Sequence, residues 1–265
     1  MYLVDGKEID LVKYDWKYLA ILDATRYDYF MDVIKEFQFK ETPKPAITTS
    51  LSTPQFMKNF ENRDCSNIIY LNTVIKFDTW LPKHNFFKVV HVWDLDWSEE
   101  LGTIHPNSVN KRFLEEYLQN PEKRFILHYM QPHPPHISIG GNPADKKENH
   151  TGDFTIDFKT KHFSQYTIWD IKKHLHIKPV IPLEICYRKY GKEGVVKAYK
   201  DDLRIGLTHI LEVMKEHLGK WVITADHGMT ITEKDYGLCG NELGYKKIPD
   251  INKIVEKVPW LEVVI

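Results

Sequence analysis

The sequence predicts an α/β fold, with a mostly parallel central sheet and helices on both of its faces. Short apolar runs typical of buried parallel strands alternate along the chain with amphipathic segments of helical period. Several of the apolar runs end directly at Asp or His, at the strand end where open α/β sheets bind their ligands. The length of 265 residues suits one domain with a large core, so a single domain over 1–265 is expected.

The predicted strands and helices follow one another in regular alternation. Strands are predicted at 18–22, 67–71, 87–92, 124–129 and 221–224. Helices are predicted over 24–37, from Thr53 or Pro54 onward, over 107–118 and over 193–218. Between these elements, the Pro-, Ser- and Thr-rich segment 41–54 is expected to be a loop that leads into the second helix. The polar stretch 138–165 is expected to be an insertion or a mobile substrate loop.

Composition and charge narrow the class of protein. The formal net charge is −1, so no basic field favours nucleic acid, and no nucleic-acid partner is expected. Three widely spaced cysteines indicate no disulfide framework, and the N-terminus lacks the pattern of a signal peptide. Both features favour a cytoplasmic setting. No apolar run approaches the roughly 18 residues that a transmembrane helix needs, so no transmembrane segment is expected.

Asp23 and the pair Asp226-His227 are the strongest candidates for metal ligands. Each follows a predicted strand, so all three should lie at the same edge of the sheet. Adjacent carboxylate and imidazole groups can both reach one divalent cation if the chain turns sharply, which Gly228 permits. A strand-end capping role for the pair is the alternative, and the convergence with Asp23 favours the metal site. Oxygen and nitrogen ligands without thiolate suit one ion of Mn²⁺, Zn²⁺, Mg²⁺ or Ca²⁺.

A run of hydroxyl side chains at 48–53 offers a nucleophile. Ser52 and Thr53 stand at the predicted start of a helix, where backbone N–H groups help to hold a phosphate. A neighbouring metal ion would lower the pKa of such a hydroxyl. Helix capping by either residue is an ordinary alternative role, and the two roles are compatible.

The segment HYMQPHPPH at 128–136 supplies three histidines. Its prolines favour an extended backbone, so His133 and His136 could contact an anionic group or give a proton to a leaving oxygen. His128 lies inside the predicted strand, and a structural role is favoured for it. A zinc site built from the three histidines alone is less favoured, because the prolines separate them unlike the usual ligand spacings.

Together these segments resemble the alkaline-phosphatase/sulfatase superfamily, and most closely its archaeal sulfatase-like proteins of similar length. The resembling motifs, in chain order, are ILDATRYD at 21–28, SLSTPQF at 50–56, HYMQPHPPH at 128–136, AYKDDLR at 198–204, ITADHG at 223–228 and VPWLEV at 258–263. The resemblance implies a parallel-sheet α/β fold and metal-dependent cleavage of a phosphate or sulfate ester. It also implies roles for single residues: metal ligands at Asp23, Asp226 and His227, the nucleophile at Ser52, and a contact with the transferred or leaving group at His133.

Two departures from the family pattern narrow the expected chemistry. Sulfatases of this superfamily have Cys or Ser followed by xPxR, but Phe56 stands where the arginine should be, so an unmodified hydroxyl is favoured. Two-metal members have a further histidine shortly after the DHG element, whereas this chain has Leu238 and Cys239 there. His133 also stands where two-metal phosphodiesterases place an aspartate. One metal ion and a phosphate ester are therefore expected.

The sequence thus predicts an enzyme, a metal-dependent hydrolase or transferase that acts on a phosphate ester through a Ser or Thr nucleophile. A phosphodiester is the favoured substrate, as a small molecule or linked to a glycan or lipid. Two alternatives stay open: a degenerate member that binds a metal or an anionic ligand without turnover, and a true sulfatase.

Overall fold

A computed structural model describes residues 1–142, 182–231 and 251–265 of the chain. Its strands are β1 Tyr2–Val4, β2 Lys7–Ile9, β3 Tyr18–Leu22, β4 Lys44–Thr48, β5 Ile68–Asn72, β6 Lys88–His91, β7 Trp97–Ser98, β8 Thr103–Ile104, β9 Arg124–Tyr129, β10 Lys220–Thr224 and β11 Lys257–Val264. Across the described residues, nine of them form one sheet in the order β2-β1-β4-β11-β10-β3-β9-β5-β6, and β7 pairs with β8.

The large sheet is mixed, which corrects the expectation of a mostly parallel sheet. Strands β10, β3, β9, β5 and β6 lie side by side and run parallel. The other half is antiparallel, because β11 pairs with β10 and β4, and β1 pairs with β4 and β2. The predicted loop at 41–54 contains β4, which is a second correction. Proline weakens a strand pattern, and Pro45 of β4 lies opposite Pro259 of β11.

Helices cover both faces of the sheet. They are α1 Tyr27–Val33, α2 Thr53–Met57, α3 Phe77–Trp80, α4 Val92–Leu95, α5 Pro106–Gln119, α6 Pro182–Met214 and α7 Ile251–Glu256. The predicted helices at 107–118 and 193–218 correspond to α5 and α6, and α6 is broken at Gly191 by a φ of 68°. The predicted strands at 18–22 and 124–129 coincide with β3 and β9. The α/β class of the fold is therefore confirmed.

Strand β3 lies at the centre of two hydrophobic layers. Leu22 faces the layer that contains residues of α1, α5 and α6, whereas Ile21 faces the layer that contains residues of α2 and α3. Both side chains are fully buried. A Cβ atom at Gly206 would lie 2.8 Å from Leu22 Cδ2, so glycine lets α6 approach the carboxyl end of β3 closely. This packing brings α6 next to the loop that follows β3.

Some predicted features lie outside the described residues. Of the expected substrate loop at 138–165, only residues 138–142 are described. A 3-10 turn covers Ile137–Ile139 at its start. Positions 238 and 239, where two-metal members of the resembling family have a further histidine, also lie outside the described residues. Within the described helices, none is both long and apolar enough to cross a membrane.

Candidate metal centre

Three adjacent strands bring acidic and imidazole side chains to one edge of the sheet. Asp23 follows β3, Asp226 comes two residues after β10, and His128 lies near the end of β9. Because β3 lies between β10 and β9, the three side chains meet, and one ligand atom from each lies within 4.8 Å of the others. All three are buried, with 2%, 0% and 0% of their surface exposed for Asp23, Asp226 and His128.

The turn after Asp23 is held from both sides. Ala24 adopts a left-handed conformation, with φ 59°. Its N–H donates to Asp226 Oδ1 at 3.0 Å, and its carbonyl accepts from the Tyr199 hydroxyl at 2.7 Å. The same hydroxyl accepts from the backbone N–H of Arg26 at 2.9 Å. The position of Asp23 is therefore fixed by β10 on one side and by α6 on the other.

His227 presents its Nε2 atom to the acidic side chains. Its Nδ1 lies 2.7 Å from the carbonyl of Gly228, which can only accept, so Nδ1 carries a hydrogen. Nε2 lies 3.3 Å from Asp226 Oδ2, 4.0 Å from Asp23 Oδ1 and 3.3 Å from Thr53 Oγ1. The predicted ligands Asp23, Asp226 and His227 thus lie together at one site.

Gly228 is required by close backbone packing. A Cβ atom there would lie 2.8 Å from the carbonyl oxygen of Ile254, and the Gly228 N–H donates to Val255 O at 2.6 Å. The antiparallel half of the sheet adds a second support, because the Tyr2 hydroxyl donates to Ala225 O at 2.6 Å. The segment that carries Asp226 and His227 is therefore held by α7 and by β1.

The two candidate hydroxyls differ in their surroundings. Thr53, the first residue of α2, donates from Oγ1 to Asp226 Oδ2 at 2.8 Å. Ser52 precedes the helix, makes no capping hydrogen bond, and its buried Oγ has no partner among the residues described. The structure brings the Thr53 hydroxyl, and not that of Ser52, into contact with Asp226 and His227.

His128 belongs to the cluster, although its position inside a strand favoured a structural role. Its Nε2 lies 3.4 Å from Asp23 Oδ2, and its Nδ1 lies 2.8 Å from the Tyr70 hydroxyl. Its partner across the parallel pair is Ile21, two residues before Asp23. Strand pairing was the missing signal, because β3 and β9 are more than 100 residues apart in the chain.

The other two histidines are placed differently. His133 is half-buried, and its Nδ1 donates to the carbonyl of Pro134 at 2.7 Å, which leaves Nε2 for other contacts. His136 lies against α6, with Nδ1 2.9 Å from Asp202 Oδ2 and both side chains buried. The assignment of substrate-binding roles to these two residues stays a prediction.

Neighbouring histidines lower the pKa of Asp23. Burial would raise the pKa of Asp23, but the contact with His128, followed by the positive potentials of His133, His128 and His227, lowers it below its usual value. Asp23 is thus held as a carboxylate beside a second buried carboxylate, Asp226.

The donor set fits a divalent cation. Asp23 Oδ1 and His128 Nε2 are buried and have no hydrogen-bond partner within the described parts of the chain. Leaving buried polar atoms unpaired is costly, and so is placing two carboxylates together without a cation. Two carboxylates and two imidazole Nε2 atoms are ligand types that Zn²⁺ and Mn²⁺ accept. The residues that could hold such an ion are Asp23, His128, Asp226 and His227.

Comparison with known proteins gives the fold. No protein-family model and no curated protein matches the chain. The soluble domain of lipooligosaccharide phosphoethanolamine transferase A from Neisseria meningitidis matches with a TM-score of 0.55 and 14% identity, over 92% of this chain and 75% of that one. The C-terminal periplasmic domain of the phosphoethanolamine transferase EptC from Campylobacter jejuni matches with a TM-score of 0.50 and 14% identity, over 96% and 81%.

A longer structure matches as well. The integral membrane protein EptA from Neisseria meningitidis gives a TM-score of 0.55 at 12% identity, over 99% of this chain and 49% of that one, so this chain spans about half of its length. Likeness at such low identity shows a shared fold. A closer likeness to archaeal sulfatase-like proteins stays a prediction, as does the cytoplasmic setting. This chain therefore shares the α/β fold of these phosphoethanolamine transferase domains.

Proposed function

We propose that this chain is a metal-dependent enzyme that transfers or hydrolyses a phosphate ester, with a phosphodiester as substrate and Thr53 as nucleophile. The observation that carries the proposal is the position of Thr53 Oγ1, 2.8 Å from Asp226 Oδ2 and 3.3 Å from His227 Nε2. A hydroxyl in contact with a carboxylate can give up its proton as it attacks phosphorus. The fold shared with phosphoethanolamine transferases supports chemistry at a phosphoryl group.

The proposed metal ligands are Asp23, Asp226 and His227, with His128 as a further donor next to Asp23. A divalent cation bound there would polarise a phosphoryl oxygen and lower the pKa of the attacking hydroxyl. Imidazole donors favour Zn²⁺ or Mn²⁺ over Mg²⁺ and Ca²⁺, which prefer oxygen ligands.

The proposed reaction has two steps. In the first, Thr53 Oγ bonds to phosphorus while the ester bond to the leaving alcohol breaks. The proton of Thr53 passes to Asp226, and His133 gives a proton from Nε2 to the leaving oxygen. In the second step, water or an acceptor alcohol loses a proton to His133 and attacks the phosphothreonine. A new phosphodiester forms with an acceptor alcohol, or a phosphate monoester forms with water, and Thr53 regains its proton from Asp226.

The test compares two neighbouring hydroxyl variants. The full chain is loaded in turn with Zn²⁺, Mn²⁺, Mg²⁺ and Ca²⁺ and assayed on p-nitrophenyl diester, monoester and sulfate substrates. We expect the highest rate on bis(p-nitrophenyl) phosphate. Thr53→Ala should lower kcat by at least about 10³-fold, because removing a nucleophile abolishes the covalent route. Ser52→Ala should stay within about threefold, since its Oγ makes no hydrogen bond to a described residue.

The other outcomes decide between the alternatives. Loss of activity in Ser52→Ala with retention in Thr53→Ala would overturn the choice of nucleophile. Binding of a metal without turnover of any substrate would favour a binding protein over an enzyme. Turnover of the sulfate ester, with oxidation of Ser52 seen by mass spectrometry, would favour a sulfatase. Trapping of a p-nitrophenyl phosphoryl group on Thr53 in a tryptic peptide would support the covalent intermediate directly.

A further inference from the structure

One turn of helix α6 contacts both loops that carry proposed catalytic groups. Tyr199 bonds the turn that follows Asp23. Asp202, three residues later, bonds the loop that carries His133. Residues three apart lie on the same face of a helix, so a single helical surface supports both loops.

Within the described parts of the chain, the hydrogen bonds to the Asp202 carboxylate all come from that loop. Its carboxylate is fully buried, and three consecutive residues each give it one hydrogen bond. Oδ2 accepts from His136 Nδ1 at 2.9 Å and from the Ile137 N–H at 3.1 Å, and Oδ1 accepts from the Ser138 N–H at 2.8 Å. Hydrogen bonds to a buried carboxylate are among the stronger ones in proteins. Asp202 therefore anchors the loop at 136–138.

The neighbouring acid on α6 has a different environment. Asp201 is partly exposed and forms ion pairs with Lys197 and Arg204, each at 2.6 Å. Among the described parts of the chain, the ion-pair partner of Asp202 is His136 alone. Asp202, and not Asp201, is therefore the acid that bonds the loop at 136–138.

We infer that Asp202 is a positioning residue that fixes the approach of His133 to the leaving group. The inference rests on the proposed function, in which His133 protonates the leaving oxygen. Pro134 and Pro135 separate His133 from the anchored residues. Because the φ of proline is fixed, the hydrogen bonds that hold residues 136–138 also restrict the position of His133. At its other side, the His133 N–H donates to Met130 O at 2.9 Å, so the loop is held on both sides of the histidine.

A misplaced proton donor slows some substrates more than others. A nitrophenolate ion leaves readily without a proton, whereas a phenolate ion depends more on general acid catalysis. Bis(p-nitrophenyl) phosphate and diphenyl phosphate differ little in shape, so they report the quality of the proton donor. If Asp202 acts through His133, its loss should affect diphenyl phosphate more.

The experiment measures kcat for both diesters in Asp202→Asn. An asparagine side chain places an N–H₂ donor where the loop also offers donors, so at least one contact becomes repulsive. We expect kcat for diphenyl phosphate to fall by at least about tenfold more than kcat for bis(p-nitrophenyl) phosphate. This factor is smaller than the full effect of a general acid, because the acid is misplaced and not removed. Asp201→Asn, the same change one position earlier, should leave both rates near those of the unaltered chain.

Two further measurements separate positioning from loss of folding. A smaller folded fraction lowers both rates by the same factor, so the ratio of the two rates is insensitive to it. Hydrogen exchange at the amides of Ile137 and Ser138 should be faster in Asp202→Asn than in Asp201→Asn, with metal content unchanged. His136→Leu, which removes one of the three donors, should shift the ratio in the same direction by a smaller factor.

The outcomes distinguish this inference from the proposed function. If the unaltered chain cleaves both diesters and Asp202→Asn leaves the ratio unchanged, the positioning role is overturned while the proposed function stands. If the unaltered chain cleaves neither diester under any cation, the proposed function has failed. In that case the exchange rates still test the anchor. If the amides of residues 137 and 138 exchange equally fast in Asp202→Asn and Asp201→Asn, the anchoring role is overturned as well. Faster exchange in Asp202→Asn would support it.

Discussion

Ala24 joins the two sides of the candidate centre through a backbone conformation that few non-glycine residues adopt. Its φ of 59° lets its N–H reach Asp226 while its carbonyl reaches Tyr199. Alanine tolerates this region at a modest cost, but a β-branched residue does not. The conformation is held because hydrogen bonds on both sides determine it.

Ala24→Val should therefore destabilise the fold, and Ala24→Gly should not. Valine at a left-handed position in a fully buried site adds backbone strain to overpacking, and we expect the free energy of unfolding to fall by about 2 kcal/mol or more. Glycine relieves the strain and adds entropy to the unfolded chain, so the expected change is within about 1 kcal/mol. Denaturant unfolding measures both. Equal losses in the two variants would show that packing of the methyl group, and not φ, is the constraint.

Neighbouring strands β5 and β9 share a buried contact that bears on the metal centre. Tyr70 of β5 places its hydroxyl 2.8 Å from His128 Nδ1. Burial, and then the charges of Asp226 and Asp23, raise the pKa of Tyr70 well above its ordinary value, so the phenol stays neutral. If His128 offers Nε2 to a cation, its Nδ1–H must donate to Tyr70. A partner of this kind fixes the tautomer and orientation of a metal-binding imidazole.

Tyr70→Phe should weaken the binding of the metal by about tenfold, because His128 loses that partner. Competition with a fluorescent chelator gives the Kd of the metal in each variant. Tyr14→Phe removes a hydroxyl that bonds Glu262, outside this cluster, and serves as the matched control. An unchanged Kd in Tyr70→Phe would exclude His128 from the ligand set.

The elements that could be predicted from the sequence are those whose burial leaves a continuous pattern. Strands β3 and β9 are buried along nearly all of their length. Strand β3 is an unbroken apolar run, and β9 contains the apolar run Phe125-Ile126-Leu127 before His128. Strand β4 alternates buried and exposed positions only after Pro45, so its sequence pattern predicts a loop. The anchor at Asp202 could not be found in the same way, because helical spacing shows which residues share a face but not which loop that face meets.

At the scale of the whole molecule, strand order decides which residues share a site. Asp23 and the pair Asp226-His227 were predictable because each follows a recognisable strand. His128 required knowing that β9 lies next to β3. The sequence does not predict the antiparallel half of the sheet. That half nevertheless contributes Tyr2, whose hydroxyl donates a hydrogen bond to the carbonyl of Ala225. The centre therefore lies where the parallel and antiparallel halves of the sheet meet.

Because its ligands come from distant parts of the chain, the centre should couple metal binding to the stability of the whole fold. Asp23 and Asp226 follow two neighbouring strands and His128 lies within a third, so these candidate ligands are not held together in the unfolded chain. A cation that binds only the folded state at 100 times its Kd should raise the free energy of unfolding by about 2.7 kcal/mol. Thermal unfolding with added Zn²⁺ or Mn²⁺, and then with excess chelator, should show a higher Tm that the chelator reverses.

Asp226→Asn is the decisive variant for this coupling. It removes one of the two buried carboxylates, so the rise in Tm on adding the cation should largely disappear. Its own stability will differ, because Asp226 also accepts hydrogen bonds from Ala24 and Thr53, so the quantity compared is the shift caused by the cation. Asp201→Asn, on the exposed side of α6, should keep the full shift. A Tm that responds to the cation equally in both variants would mean that the ion binds elsewhere, and no response in the unaltered chain would mean that these carboxylates hold none.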